Sequence, residues 1–498
     1  MSDTVACLYE GLNKDPIALA AIEGDRSLTY QQLVTQSEAL ALALRDALPA
    51  GVPVALCAQN TLEHLQSFLA ILLGGFIWVP INPKNGQPLN RHLLDSVQPA
   101  LILTDSTSVK SLPDHNFTQW LLDDSQDNLT LRIKPYLNQS FTPTTPNADD
   151  VMGIKFTGGT TGTPKGVIQT HANVNAVIDH LQTLYQFQQD DRNLAIAPLT
   201  HGGSHYILPI LAAGGCHLLM PTPDVNAITQ ALKHQRASIS FMPPTLIYKL
   251  LDETDINAED CPHLRHITYS AAPMPPERIQ QFHQRLGTKL STLYGQTEAP
   301  MTITAMAPED LAQPHLIASV GKACAQSEIS ILDENLNPLP HNQVGQIAVR
   351  GAIVTPAYFN APHQTREAFH DDWLLTGDLG ELNEEGYLFL KGRAKEMIIS
   401  GGFNVYPAEV ENIIAQHPAI SECVVVGIAD DYWGERVEAA ICTHPGQAID
   451  NEELLQAVKT QLGSVKTPKQ LHHFATLPRN PVGKVVRRDI LELIERRV

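Results

Sequence analysis

VMGIKFTGGTTGTPKGVIQTHANVNA, residues 151–176, sets an apolar run, a glycine- and threonine-rich turn, a second apolar run and the start of a helix in direct succession. Residues 151–157 and 166–169 read as short strands, with the helix opening near 171–176. Gly158, Gly159 and Gly162 carry no β-carbon, so backbone N–H groups can close on phosphate oxygens. Thr160, Thr161 and Thr163 add hydroxyls and Lys165 adds charge. This is not the phosphate loop that needs Gly-Lys-Ser/Thr opening a helix, because Pro164 precedes Lys165 and Gly166 follows it. From this segment alone a plain turn and a polyphosphate cradle both remain open.

Outward from the turn, apolar β-rich runs alternate with amphipathic stretches at 52–57, 62–73, 76–79 and 101–104, then at 194–197, 238–242, 265–269 and 289–294. That rhythm predicts α/β layers with largely parallel sheets. Residues 105–150 are polar and rich in Pro, Asn and Ser, which predicts irregular surface. After Trp373, Gly377, Gly380, Gly386 and Gly392 punctuate short strands. From Lys395 onward the pattern is α+β, with helices at 407–416 and 451–462 and strands at 422–427 and 438–443. The predicted fold is α/β: a large N-terminal domain of layered β-sheets flanked by helices, residues 1–394, and a small mobile α+β C-terminal domain, residues 395–498.

Composition bounds the partners. With 34 Lys+Arg against 53 Asp+Glu, the net charge of −19 opposes a surface that tracks nucleic acid or anionic lipid, so a polyanionic ligand must meet a local basic site. The 7 cysteines lack any CxxC pair, which suits a reducing compartment. Residues 68–81 are apolar but too short to span a bilayer and are broken by Gly74, Gly75 and Pro80. Neither a signal peptide at MSDTVACLYEGLNKD nor a peroxisomal address at IERRV is read, and the expectation is a soluble cytoplasmic protein.

Eight separated segments then agree in order: LTYQQL (28–33), GGFIWVPINP (74–83), FTGGTTGTPKGV (156–167), SAAPMP (270–275), LYGQTE (293–298), LLTGDLG (374–380), GRAKEMIISGGFNVYPAEVE (392–411) and LPRNPVGKVVRR (477–488). Over essentially its whole length the chain resembles the adenylate-forming superfamily of acyl-CoA synthetases, peptide-synthetase adenylation domains and firefly luciferases. The resemblance implies that a carboxylate and ATP give acyl-AMP and pyrophosphate, after which a second nucleophile takes the acyl group.

The resemblance also implies roles for individual residues. Thr157, Thr160, Thr161 and Lys165 would hold the β- and γ-phosphates. The family usually has Ser or Thr at Gly158, so that position is not counted as a donor. Ala272 and Pro273 lie in the adenine-pocket loop. Tyr294 matches the aromatic that stacks on adenine, Thr297 the hydroxyl on the α-phosphate, and Glu298 the ligand of a phosphate-bridging Mg²⁺. Asp378 matches the carboxylate on both ribose hydroxyls and Arg393 the arginine on ribose and phosphate. Lys484 matches the catalytic lysine that bridges the attacking carboxylate and the α-phosphate. Lys395 occupies the hinge, and rotation there would bring Gly401 and Gly402 to the site as an acceptor channel.

His201 matches the histidine or aromatic that lines or gates the acyl tunnel, with small neighbours Gly202, Gly203 and Ser204 leaving room for an acyl or aryl group. No acid is evident to pair with an amino-acid ammonium, which favours a hydrophobic aliphatic or aromatic acid. Coenzyme A is the implied acceptor, and ISGGFNVYPAEVE has the form common in free-standing CoA ligases. Ala357, Ala429 and Val465 stand where such ligases usually carry Gly, Pro and Tyr, which leaves an amine acceptor open, as in amide-bond synthetases. A non-catalytic acyl-nucleotide binder is the third reading, and it predicts a missing catalytic residue. Lys165, Glu298, Asp378, Arg393 and Lys484 are all present.

Overall fold

The computed structural model describes residues 3–126, 128–157, 164–430, 432–480 and 485–496. Two broad sheets face each other. One has six strands in the spatial order Gln119–Leu121, Leu101–Thr104, Pro53–Cys57, Ile77–Pro80, Val151–Phe156 and Gly166–Thr170, parallel until the last pair. The other has nine, running from Lys322–Ala323 and Ala299–Met306 through Leu290–Gln296, His266–Tyr269, Ile239–Phe241, Arg192–Ala195 and Cys216–Leu219 to Leu19–Glu23 and Arg26–Thr29.

Helices Leu62–Gly74, His171–Tyr185 and Ile207–Ala213 fill the space between these sheets. Phe68, Leu69, Val174, Ile178 and Leu208 share one core with Val54, Leu56 and Trp78 of the six-stranded sheet and Ala20, Ala21 and Leu219 of the nine-stranded one. A helix covered on both sides has no polar face, which is why 62–74 is the most apolar part of the chain. Each large aliphatic or aromatic side chain buried there contributes about 1.5–3 kcal/mol. Among the described residues no helix is long and apolar enough to cross a membrane. The helix His171–Tyr185 starts where Thr170 and Asn173 cap each other reciprocally, a device worth about 1 kcal/mol that fixes where the strand after the glycine turn ends.

Two further sheets depart from the expected parallel pattern. Ser327–Leu332, Gly345–Gly351, Trp373–Leu382, Phe369–His370 and Leu388–Arg393 form an antiparallel sheet. Phe403–Val405, Ile398–Ser400, Gly434–Thr443 and Ile420–Asp430 form another, to which Gln470–His473 adds in parallel. Tight turns, such as Gly386 at φ 82° and Gly401–Gly402 at φ 59° and 80°, join antiparallel neighbours directly, whereas the parallel strand Gln470–His473 is reached through the helix Asn451–Lys466. Residues 105–150 are less irregular than their composition implies. They supply the edge strand Gln119–Leu121 and the helix Leu129–Ile133, pinned by buried Leu122 and by Arg132 lying 4.2 Å over the Trp120 ring.

Candidate active site

A two-residue hairpin sets the geometry. Strands Leu290–Gln296 and Ala299–Met306 pair at Gln296 and Ala299, so Thr297 and Glu298 form the tip between them. The register slips at Gly295, where an added Cβ would lie 2.6 Å from the Met301 nitrogen, and Met301 itself takes φ 62°. The tip is held from two other sheets. Gln169 of the six-stranded sheet donates its amide to the Thr297 carbonyl at 3.2 Å. Thr355, beyond the strand Gly345–Gly351, donates its backbone N–H to the Glu298 carbonyl at 2.7 Å. The Tyr358 hydroxyl donates to Glu298 Oε1 at 2.7 Å.

Just before the tip, buried Tyr294 donates its hydroxyl to Asp378 Oδ2 at 2.7 Å, and Arg393 Nε pairs with Asp378 Oδ1 at 2.6 Å. Asp378 and Arg393 face each other across the strands Trp373–Leu382 and Leu388–Arg393, so sheet register alone brings them together. Burial first, then the Asp378 charge, drives the Tyr294 phenol upward and keeps it a donor. On the adjacent strand, the loop after His266–Tyr269 carries Ala272 and half-exposes it, with Pro273 exposed beside it. Ala271 there adopts φ 72°, a left-handed conformation that costs an alanine free energy and is held by its surroundings.

The glycine–threonine turn closes at its base. Thr157 donates its N–H to the Lys165 carbonyl at 3.0 Å, and Lys165 donates its own N–H to Thr157 Oγ1 at 3.2 Å. The Lys165 ammonium lies 4.6 Å over the Tyr358 ring. Thr160 and Thr161 lie outside the described residues, as does Lys484.

His201 stands apart from this cluster. Its carbonyl accepts from the Ser204 hydroxyl at 2.6 Å, and Ser204 in turn is 3.0 Å from the ammonium of Lys155, whose Nζ also lies 2.9 Å from His205 Nε2 and 5.0 Å from the Trp78 ring centre. Burial pushes Lys155 down to about 7, and burial together with the Lys155 charge lowers His201 to about 4, so His201 is neutral at neutral pH. The room expected beside Gly202 and Gly203 is taken. An added Cβ at Gly202 would sit 2.6 Å from the Phe241 ring, and at Gly203 2.5 Å from the Ala197 carbonyl. These glycines serve close packing rather than open space.

Lys395 is exposed in the turn Ala394–Glu396, between the sheet that ends at Arg393 and the one that begins at Ile398. Gly401 and Gly402 form the exposed tip of the hairpin Ile398–Ser400 to Phe403–Val405, where Ile399 and Phe403 are also exposed. The structure therefore gathers Thr157, Lys165, Thr297, Glu298, Tyr294, Asp378 and Arg393 around one hairpin tip, and leaves Lys395, Gly401 and Gly402 in solvent. Sequence reasoning passed over Tyr358, Gln169 and Lys155. For Lys155 the available signal was a lone cation inside the apolar run VMGIKF.

The family described as AMP-binding enzyme matches residues 9–359, and its C-terminal domain matches residues 409–484. Medium/long-chain-fatty-acid–CoA ligase FadD8 of Mycobacterium tuberculosis is 34% identical over 68% of this chain and 60% of that protein. Indoleacetate–CoA ligase of Aromatoleum aromaticum is 31% identical over 95% of this chain and 94% of its own. ATP-bound MatB of Rhodopseudomonas palustris superposes with a TM-score of 0.90 at 28% identity over 99% of both chains, whereas apo MatB gives 0.81. Amide bond synthetase McbA of Marinactinospora thermotolerans gives 0.88 at 25% identity, covering 98% of this chain and 99% of that one.

Two outcomes test this geometry. Gly295→Ala drives a Cβ into the Met301 backbone and should lower stability by roughly 1–3 kcal/mol while displacing Thr297 and Glu298, read by thermal unfolding. Lys155 is held below its ordinary value of 10.5, so its penalty is full below about pH 7 and fades as pH rises toward 10.5. Lys155→Met should therefore stabilise the protein at pH 7 by roughly 1–4 kcal/mol, with the gain shrinking by pH 10. A gain that does not change between the two pH values would contradict the buried-charge reading.

Proposed function

Because the chain belongs to the AMP-binding enzyme family, we propose that it couples a carboxylic acid to ATP, releasing pyrophosphate, and then passes the acyl group from acyl-AMP to coenzyme A. The observation that carries this reading is the convergence of Thr157 and Lys165 at the base of the glycine–threonine turn, a Thr-Glu hairpin tip and an Asp–Arg pair from three different sheets. A free carboxylate has no good leaving group. Adenylation supplies one, and its cost lies in charge developing at the α-phosphorus, which fixed donors and cations offset.

In this reading Thr157, Thr160, Thr161 and Lys165 take the outer phosphates and Thr297 the α-phosphate. Tyr294, Ala272 and Pro273 flank adenine, while Asp378 and Arg393 hold the ribose. Mg²⁺ fits Glu298 through the chemistry of its donor. Among the described residues no group of three or more His, Cys, Asp or Glu could hold a metal by itself, so the ion would arrive on the nucleotide's phosphates and need only this one carboxylate. Lys484 would be the cation that meets the attacking carboxylate and the α-phosphate. His201, neutral and half-buried, would border the acid.

We place the division of labour at Lys395: residues 1–394 for the nucleotide and acid, 395–498 as the moving part. The exposed Gly401–Gly402 tip, and the higher similarity to ATP-bound than to apo MatB, support reading this arrangement as the one that precedes acyl transfer. The acid would be aliphatic or aromatic and hydrophobic, in line with the fatty-acid and indoleacetate ligases it resembles. An amine acceptor is the second reading, favoured by Ala357, Ala429 and Val465 and by the likeness to McbA. All seven cysteines are unpaired, which suits the cytoplasm.

Lys484→Ala should reduce adenylate formation by roughly 10² to 10³ while sparing transfer from supplied acyl-AMP. Equal loss in both half-reactions would reject the assignment. A panel of aliphatic and aryl acids with ATP, with and without coenzyme A or amines, should release pyrophosphate and give a thioester by mass. An amide with no thioester would move the function to the second reading.

A further inference from the structure

We propose that Tyr358 is a positioning residue that keeps Lys165 and Glu298 from neutralising each other before nucleotide binds. The inference rests on reading those two residues as the phosphate cation and the metal carboxylate. Tyr358 touches both: its ring lies 4.6 Å under the Lys165 ammonium, and its hydroxyl is 2.7 Å from Glu298 Oε1. It is only 8% exposed, so neither contact depends on a loose surface ring.

The backbone around it is stitched to both elements it serves. Phe359 donates to the Gly166 carbonyl at 2.7 Å and Ile168 to the Ala357 carbonyl at 3.2 Å, which fastens residues 357–359 along the strand after the glycine turn. Thr355 donates to the Glu298 carbonyl at 2.7 Å, and its hydroxyl bonds the Ile168 carbonyl, which fastens the same segment to the hairpin tip. The Tyr358 nitrogen donates to Thr365 Oγ1 at 3.0 Å.

The chemistry selects a phenol. A lysine and a glutamate that touch the same side chain attract each other, and a pair once formed has to be broken before the ammonium can meet phosphate. A phenol satisfies each separately, with its O–H donating to the carboxylate and its ring face attracting the cation. An aliphatic side chain supplies neither contact, and phenylalanine supplies only the second.

The test is a four-protein cycle: wild type, Tyr358→Phe, Glu298→Gln and the double variant. Binding of a non-hydrolysable ATP analogue is measured by calorimetry with and without Mg²⁺, and folding is checked by thermal unfolding. Without Mg²⁺, Tyr358→Phe should weaken binding ~10-fold, as expected when a charge-assisted contact must be given up. In the Glu298→Gln background the same change should alter affinity less than ~2-fold, because no carboxylate remains to capture Lys165. Equal weakening in both backgrounds makes Tyr358 a structural residue only and overturns the inference, as does no weakening in either. If the wild-type protein binds no analogue at all, the nucleotide reading itself fails and takes the inference with it.

Discussion

The site depends on one constraint: Thr297 and Glu298 occupy a two-residue turn whose carbonyls are both claimed by donors from outside their own sheet. Gln169 reaches the first and the Thr355 N–H the second. A hairpin tip in water would leave these acceptors to solvent and fray. Here the hairpin strands, the segment leading to Thr355 and the strand that carries Asp378 share one hydrophobic core, and the Gln169 strand pairs with Val151–Phe156, which packs into two others, so the tip and the Asp378 strand are held together. Gly295 makes the arrangement possible, since the strand can slip register against Met301 only where no β-carbon stands between them.

Charge is distributed with the same economy. A chain of net charge −19 repels a polyphosphate at long range, so the attraction must be local and short-ranged. Arg393 comes to the cluster already paired with Asp378, and Lys165 rests on an aromatic face instead of an acid. Lys155 follows a different logic. It is buried among Ser204, His205 and Trp78 with no carboxylate among its contacts to the described residues, and its charge adds to burial in keeping His201 neutral.

The layered α/β core was legible because period and burial agree there. The runs at 101–104 and 151–157 came out as Leu101–Thr104 and Val151–Phe156, and the helix expected to open near 171 begins at His171 behind its Thr170 cap. Antiparallel pairing was less legible, since period 2 reads the same in either direction and only the turn length distinguishes them. Residues 119–121 escaped because a three-residue edge strand has too few alternations to register. The site residues were legible where a motif carried them together, as in YGQTE. Tyr358 was not, because its partners Lys165 and Glu298 are 193 and 60 positions away and no spacing rule links them. Gly202 misled for a related reason: an absent side chain signals either an opening or a close neighbour, and only the Phe241 ring decides which.

The same short-range logic governs the junction between the two parts of the chain. Arg393 is bonded to Asp378 on the nucleotide side, while Glu396, three positions later, is bonded at 3.0 Å to Arg487 near the C-terminus, whose guanidinium also grips Glu411 at 2.6 Å. Lys395 lies between these two anchors, exposed, and is the residue there with no ion pair among the described contacts. A backbone change at this point leaves the Asp378–Arg393 pair with the larger sheets and carries the Glu396–Arg487–Glu411 network with the smaller one. Neither ion-pair group has to break. In the proposed reorientation of residues 395–498, contacts across the junction such as the part-buried pair Arg278 and His444, 3.5 Å apart, would be the ones exchanged.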